Sequence, residues 1–164
     1  MCSSDLLTNP AGAENQLMGV FHPDLVGIQA RVLQQLGSRH VMVVNGCDGL
    51  DEITLSGETR VAELKHGQVT EFSIRPSQFG ISECSLDEIK ALDADNSAAM
   101  LLSVLENQPG PARDIVLLNA GAAIYVSGVA HSLETGIERA RDALASGAAL
   151  AKLRQLIEFS QQEA

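Results

Sequence analysis

Asp51 and Glu52 stand side by side at the end of the run Asn45-Gly46-Cys47-Asp48-Gly49-Leu50. Two adjacent carboxylates gather negative charge where a hard cation can sit. Gly46 and Gly49 permit tight backbone turns, including positive φ, and Asp48 between them reads as a turn residue. Other chemical candidates are weaker. Cys47 lies in the same run, but no His or Lys is beside it to activate a thiolate. His22, His40, His66 and His131 share no zinc-ligand spacing and read as surface or cap residues. Asn119, inside a helical pattern, reads as a core hydrogen-bonding residue.

The elements that position the acidic pair follow from hydrophobic period. Val41-Met42-Val43-Val44 is a buried β-run that ends at the loop, and open α/β sheets bind ligands beyond such strand ends. Upstream, Gln16–Phe21 reads as a strand. A helix follows with Asp24 as its N-cap, Leu25, Ile28, Val32 and Leu36 on one face, and Gly37 at its close. Strand, helix, strand is a βαβ unit, which favours a parallel sheet. Residues 1–16 read as an irregular hinge containing the turn Thr8-Asn9-Pro10-Ala11-Gly12, and residues 17–164 as one α/β domain.

Past the loop the period becomes two. Glu58–Leu64 and Val69–Ile74 predict a β-hairpin turning at Lys65-His66-Gly67-Gln68 and ended by Pro76 and Gly80. Ser85 and Glu88 fit a capping box. Helices are then predicted from Asn96 (Ala98, Leu101, Leu105) to Pro109, and from Pro111 (Ile115, Leu118, Ala122, Tyr125, Val129). Two more carry Leu133, Ile137, Ala140 and Leu144, then Leu150, Leu153 and Ile157, with Gly147 between them. Ala120-Gly121-Ala122-Ala123 is small on all sides and predicts close helix packing.

The totals agree. At 164 residues the chain can bury the core of one domain. Apolar residues are 45% and aromatics 3%, so the core is aliphatic. A formal charge of −10, with Lys and Arg scattered, argues against nucleic acid and anionic membrane surfaces as partners. Three widely spaced cysteines form neither a disulfide framework nor a zinc pattern. No run approaches the roughly 20 apolar residues of a membrane span, and the N-terminus lacks the features of a signal peptide. A cytoplasmic protein is expected.

Leu7-Thr8-Asn9-Pro10-Ala11, Met18-Gly19-Val20, Gly46-Cys47-Asp48-Gly49-Leu50-Asp51-Glu52, Phe79-Gly80, Asn119-Ala120 with Ala123, and Ser146-Gly147 with Ala149 occur in the order and spacing of anthranilate phosphoribosyltransferases. The chain resembles that family over roughly residues 7 to 158. The resemblance implies an α/β fold of the nucleoside phosphorylase and phosphoribosyltransferase C-terminal domain type. That fold has a central, largely parallel sheet with a β-hairpin and flanking helices. It also implies transfer of the phosphoribosyl group of phosphoribosyl pyrophosphate (PRPP) to anthranilate in tryptophan biosynthesis, with Mg²⁺ as cofactor. Carried onto this sequence, the resemblance implies that Asp51 and Glu52 are the metal-binding pair and that Asn9 and Pro10 line the entrance of the aromatic substrate.

The family's G-T-G-G-D phosphate loop, its K-H-G-N segment and the arginine before its T-N-P turn have no counterpart here. Lys65-His66-Gly67-Gln68 follows the acidic loop and is not equated with K-H-G-N. Asn45 replaces a His that often precedes the loop glycine. No catalytic residue is therefore assigned within the chain, which reads as the C-terminal part of such an enzyme. It is expected to lack turnover alone and to self-associate through uncovered apolar surface. The resemblance implies a homodimer for the full-length enzyme through a helical N-terminal domain that this chain does not carry. The alternatives are a pyrimidine nucleoside phosphorylase-like protein, a nucleic-acid-binding relative, or a non-catalytic α/β fragment.

Overall fold

In the computed structural model, which describes residues 12–162, the apolar run at Val41 is the strand β2 (His40–Gly46), buried from Val41 to Gly46. Its centre, Val41 to Val44, is apolar at every position because both faces of the strand are covered. Val41 and Val43 point into one core with Val26, Ala30, Leu33, Ala62 and Leu64. Met42 and Val44 point into the other with Ile53, Leu55, Val61, Ile115, Leu118 and Ile137. A side chain of this size contributes about 2 kcal/mol when fully buried, so β2 anchors both layers.

Among the described residues four strands form one sheet in chain order: β1 (Asn15–Gly19), β2, β3 (Thr59–Lys65) and β4 (Gln68–Ile74). β1 and β2 are parallel, with Gly19 opposite Val44. The other two pairs are antiparallel. The α/β class holds, but the sheet over the described residues is not largely parallel. β2 returns to β3 through the loop at 47–58, which contains no crossover helix, and a parallel return would require one. The hairpin of β3 and β4 turns where expected. His66 and Gly67 have φ of 53° and 74°, as a two-residue turn matching strand twist demands.

α1 (Asp24–Gln35) packs on the first core, with corrections to the sequence reading. Its buried stripe is Val26, Ala30 and Leu33, whereas Ile28 and Leu36 are more than half exposed. Gly27 and Gln29 are also buried. The sheet accepts the flank with the small residues because the helix backbone can approach it there. Asp24 does not cap the helix. Pro23 occupies the cap position, and the Asp24 N–H is accepted by His22 Nδ1 at 3.2 Å.

Beyond β4 come two short 3₁₀ turns, Pro76–Phe79 and Leu86–Ile89, the second closed by the expected Ser85–Glu88 capping box. α2 (Ala94–Leu105) is capped by Asp93, whose carboxylate accepts the Asn96 N–H at 2.7 Å. Its buried residue is Val104, and Leu101 is half exposed. α3 (Pro111–Val126) begins at the proline and ends before Val129, which is exposed. α4 (Leu133–Ala145) buries Ile137, Ala140 and Leu144, and α5 (Ala148–Gln162) follows Gly147. α3 and α4 cross at glycines. A Cβ on Gly136 would sit 2.2 Å from the Gly121 carbonyl oxygen. This is the close packing that the small-residue run predicts. Among the described residues no helix is long and apolar enough to cross a membrane.

Candidate metal-binding loop

The loop after β2 is tied down from within. Gly46 N–H donates to the Leu50 carbonyl at 2.8 Å, and Gly49, at φ 87°, donates back to Gly46 at 2.9 Å. The Asp48 carboxylate accepts from the Leu50 N–H at 3.1 Å, from the buried Thr54 hydroxyl at 2.5 Å and from the Ser56 hydroxyl. Partial burial works to raise the Asp48 carboxyl. The bonds from Ser56, Thr54 and Leu50 outweigh it and hold the group below the usual aspartate value. Asp48 is thus a turn residue, as its spacing suggests, and its oxygens are already used.

Asp51 and Glu52 differ from it. Both are exposed, and among the described residues neither side chain makes a hydrogen bond or ion pair. Glu52 lies at the rim of a cavity of about 790 Å³ walled by Leu50, Ile89, Ile115 and Leu153. That apolar surface, and then the charge of Asp51, raise its carboxyl above the usual glutamate value. Two crowded carboxylates without a cation fit a divalent ion in donor type and charge. No cluster of three or more His, Cys, Asp or Glu able to hold a metal occurs among the described residues. A pair of carboxylates of this kind suits an ion that keeps several of its waters.

Three residues hold the backbone beneath the pair. Asn45, buried at the end of β2, donates through Nδ2 to the Val20 carbonyl at 2.7 Å and ties the loop's entrance to the exit of β1. Asn119 on α3 hydrogen-bonds Ile53, next to Glu52. The expected core bonding of Asn119 is present, but its link to the loop carried no sequence signal beyond the shared motif. Gly19, at the end of β1, touches the Asp51 peptide. Asn9 and Pro10, the other site residues expected by resemblance, lie outside the described residues.

The start of β2, the opposite end of the strand, carries a second group of ionisable side chains, none of which the sequence marked as a cluster. His40 Nε2 is 2.8 Å from Glu63 Oε1, the Tyr125 hydroxyl donates to the same oxygen at 2.7 Å, and Lys65 Nζ donates to Tyr125 at 2.8 Å. The His40 and Glu63 side chains are only 12% and 13% exposed, so His40 is not the surface residue that spacing suggests. The Tyr125 ring packs edge-on to His40 at 4.8 Å. Burial raises the Tyr125 hydroxyl, the Lys65 bond opposes this, and Glu63 adds to it.

Comparison with known proteins agrees with this architecture. The chain is 67% identical over 154 residues to an anthranilate phosphoribosyltransferase of Laribacter hongkongensis, covering 94% of this chain and 45% of that protein. It is 61% identical over 161 residues to the one from Nitrosospira multiformis, covering 96% and 46%. The crystal structure of anthranilate phosphoribosyltransferase from Thermus thermophilus matches with a TM-score of 0.84 at 37% identity, over 93% of this chain and 45% of that one. The Saccharomyces cerevisiae enzyme in complex with PRPP and Mg matches with a TM-score of 0.77 at 26% identity, over 88% and 42%. The chain thus spans about half the length of the curated relatives it matches. A family model described as "Glycosyl transferase family, a/b domain" matches residues 5–150, and on that match the chain belongs to this glycosyl transferase family.

Proposed function

We propose that this chain supplies the metal-holding loop of an anthranilate phosphoribosyltransferase. In the reaction the anthranilate amine forms a bond to the ribose C1 of PRPP, the bond from C1 to the pyrophosphate oxygen breaks, and the amine gives up a proton. Aromatic amines are weak nucleophiles, so leaving-group activation and alignment carry most of the catalysis. A bound Mg²⁺ would offset the charge that gathers on the departing pyrophosphate. Asp51 and Glu52 hold that ion. Asp48, with Thr54 and Ser56, keeps the loop in one shape, and the short loop from β2 fixes where the carboxylates stand. Asn9 and Pro10 are assigned to the approach of the aromatic substrate in the same proposal.

The observation that supports this reading best is the contrast within one loop. Asp48 is fully engaged, while Asp51 and Glu52 face outward without a partner among the described residues. Names of the relatives supply the substrate class, and the yeast complex with PRPP and Mg supplies the metal. Calorimetric titration of PRPP into the chain, with and without Mg²⁺, tests it. Binding is expected only with Mg²⁺, and Asp51→Asn or Glu52→Gln should weaken it at least about tenfold. Equal PRPP binding by wild type and both variants, or none by wild type, would reject the assignment.

A further inference from the structure

Two of the motifs behind the resemblance, Met18-Gly19-Val20 and Asn119-Ala120, supply residues that hold the backbone of the acidic loop but touch neither the ion nor the substrates of the proposed reaction. In the fold they meet the acidic loop at adjoining residues, Gly19 at Asp51 and Asn119 at Ile53. Asn119 Oδ1 accepts the Ile53 N–H at 2.9 Å, and its Nδ2 donates to the Ile53 carbonyl at 3.0 Å and to Ile115 at 3.0 Å. The carboxamide therefore pairs with both polar groups of Ile53 as a neighbouring strand would, which fixes orientation as well as position. Ile53 is 1% exposed, so water does not replace these bonds.

Gly19 acts through space. A Cβ there would lie 1.4 Å from the Asp51 carbonyl oxygen and 2.3 Å from its carbon. The volume that any other side chain would need is filled by the peptide of the first acidic residue. That obstacle is backbone, which cannot swing aside as a side chain can. The Asp51–Glu52 segment is thus held at Ile53 by α3 and seated at Asp51 on the end of β1.

We infer that Asn119 and Gly19 are positioning residues that set where the Asp51 and Glu52 carboxylates stand, so that cation affinity depends on them although neither touches the ion. This rests on the reading of the pair as a cation site. Two carboxylates on a loosely held loop lose conformational entropy when an ion gathers them, and a fixed backbone lowers that cost.

The test uses the 164-residue chain and Mn²⁺ chloride as probe, read by paramagnetic broadening of backbone amide signals. In wild type, broadening should centre on Asp51 and Glu52 and vanish in Asp51→Asn. Asn119→Ala and Gly19→Ala should each weaken the apparent affinity about tenfold, the low end for residues behind a metal ligand. Leu144→Ala, a core truncation on α4, should leave it unchanged. The two test variants act independently, so either one that folds decides the matter. Wild-type affinity in a folded Asn119→Ala or Gly19→Ala, or an equal loss in Leu144→Ala, overturns the positioning role and leaves the cation site standing. Absence of broadening at the loop in wild type removes the cation site itself, and the inference with it.

Discussion

The two ends of β2 carry ionisable side chains to opposite effect. At the start of the strand, His40, Glu63, Tyr125 and Lys65 satisfy one another. At its finish, Asp51 and Glu52 satisfy nothing within the described residues. A set of polar groups bonded mainly to one another stabilises the fold and has less to offer a ligand. A pair left open, on a loop otherwise held together by hydrogen bonds, costs the fold some repulsion and keeps its oxygens available. Residue type alone would rank the His–Glu–Tyr–Lys set as the richer chemistry. Pairing reverses that ranking.

The sharpest way to break the contrast is Glu63→Ala. It leaves His40 and the Tyr125 hydroxyl without their shared acceptor in a mostly buried place. The expected loss is about 3 kcal/mol of unfolding free energy in urea titration, with Mg²⁺ binding at the loop unchanged. A loss of Mg²⁺ binding in the folded variant would couple the two ends and dissolve the distinction.

Asp48→Ala is intermediate. It removes an acceptor used by Leu50, Thr54 and Ser56 and should cost about 1 to 2 kcal/mol. Asp48 also gives stability a pH dependence. Its folded carboxyl titrates below its usual value of 3.8, so the unfolded chain binds the proton more readily. Its contribution is therefore complete above that value and is lost as pH falls through the lower folded one. Acid titration of wild type against Asp48→Asn should show this loss in wild type alone.

Glu52→Gln is the smallest in stability, within about 0.5 kcal/mol of wild type at neutral pH. Its linkage has the opposite sign to that of Asp48. The folded carboxyl is raised above 4.5, so the folded chain holds the proton more tightly. Stability from this group is full below 4.5 and is lost as pH rises through the folded value. Glu52→Gln should abolish that decline. A variant much less stable than wild type would show that Glu52 is structural and belongs with the paired end.

Local pattern made much of the fold legible. The unbroken apolar run gave β2, the two-residue period gave the hairpin and its turn, and proline and the capping box placed α3 and the second 3₁₀ turn. The i, i+4, i+7 stripe gave the buried face of α4. What stayed hidden depended on partners distant in the chain. Two apolar stripes competed on α1, and the sheet took the one with Gly27 and Ala30. Strand direction after β2 was set by a loop rather than by any feature of β3 itself. His40 and Glu63 are 23 residues apart, and Asn119 and Ile53 are 66 apart. Single polar residues paired over such spans leave no period to read. The acidic pair could be read because its two members are neighbours, whereas the residues that seat it could not.

The glycine crossing of α3 and α4 reaches further than its own contact. Gly121 lies two positions past Asn119 on the same helix, and its carbonyl rests where a side chain on Gly136 would be. With backbone against backbone, α3 cannot slide along or roll over α4 without collision. The crossing acts as a mechanical stop that sets the depth at which the Asn119 carboxamide is presented. A methyl group added at Gly136, well outside the loop, would push α3 off its seat and carry that shift to the carboxylates of Asp51 and Glu52.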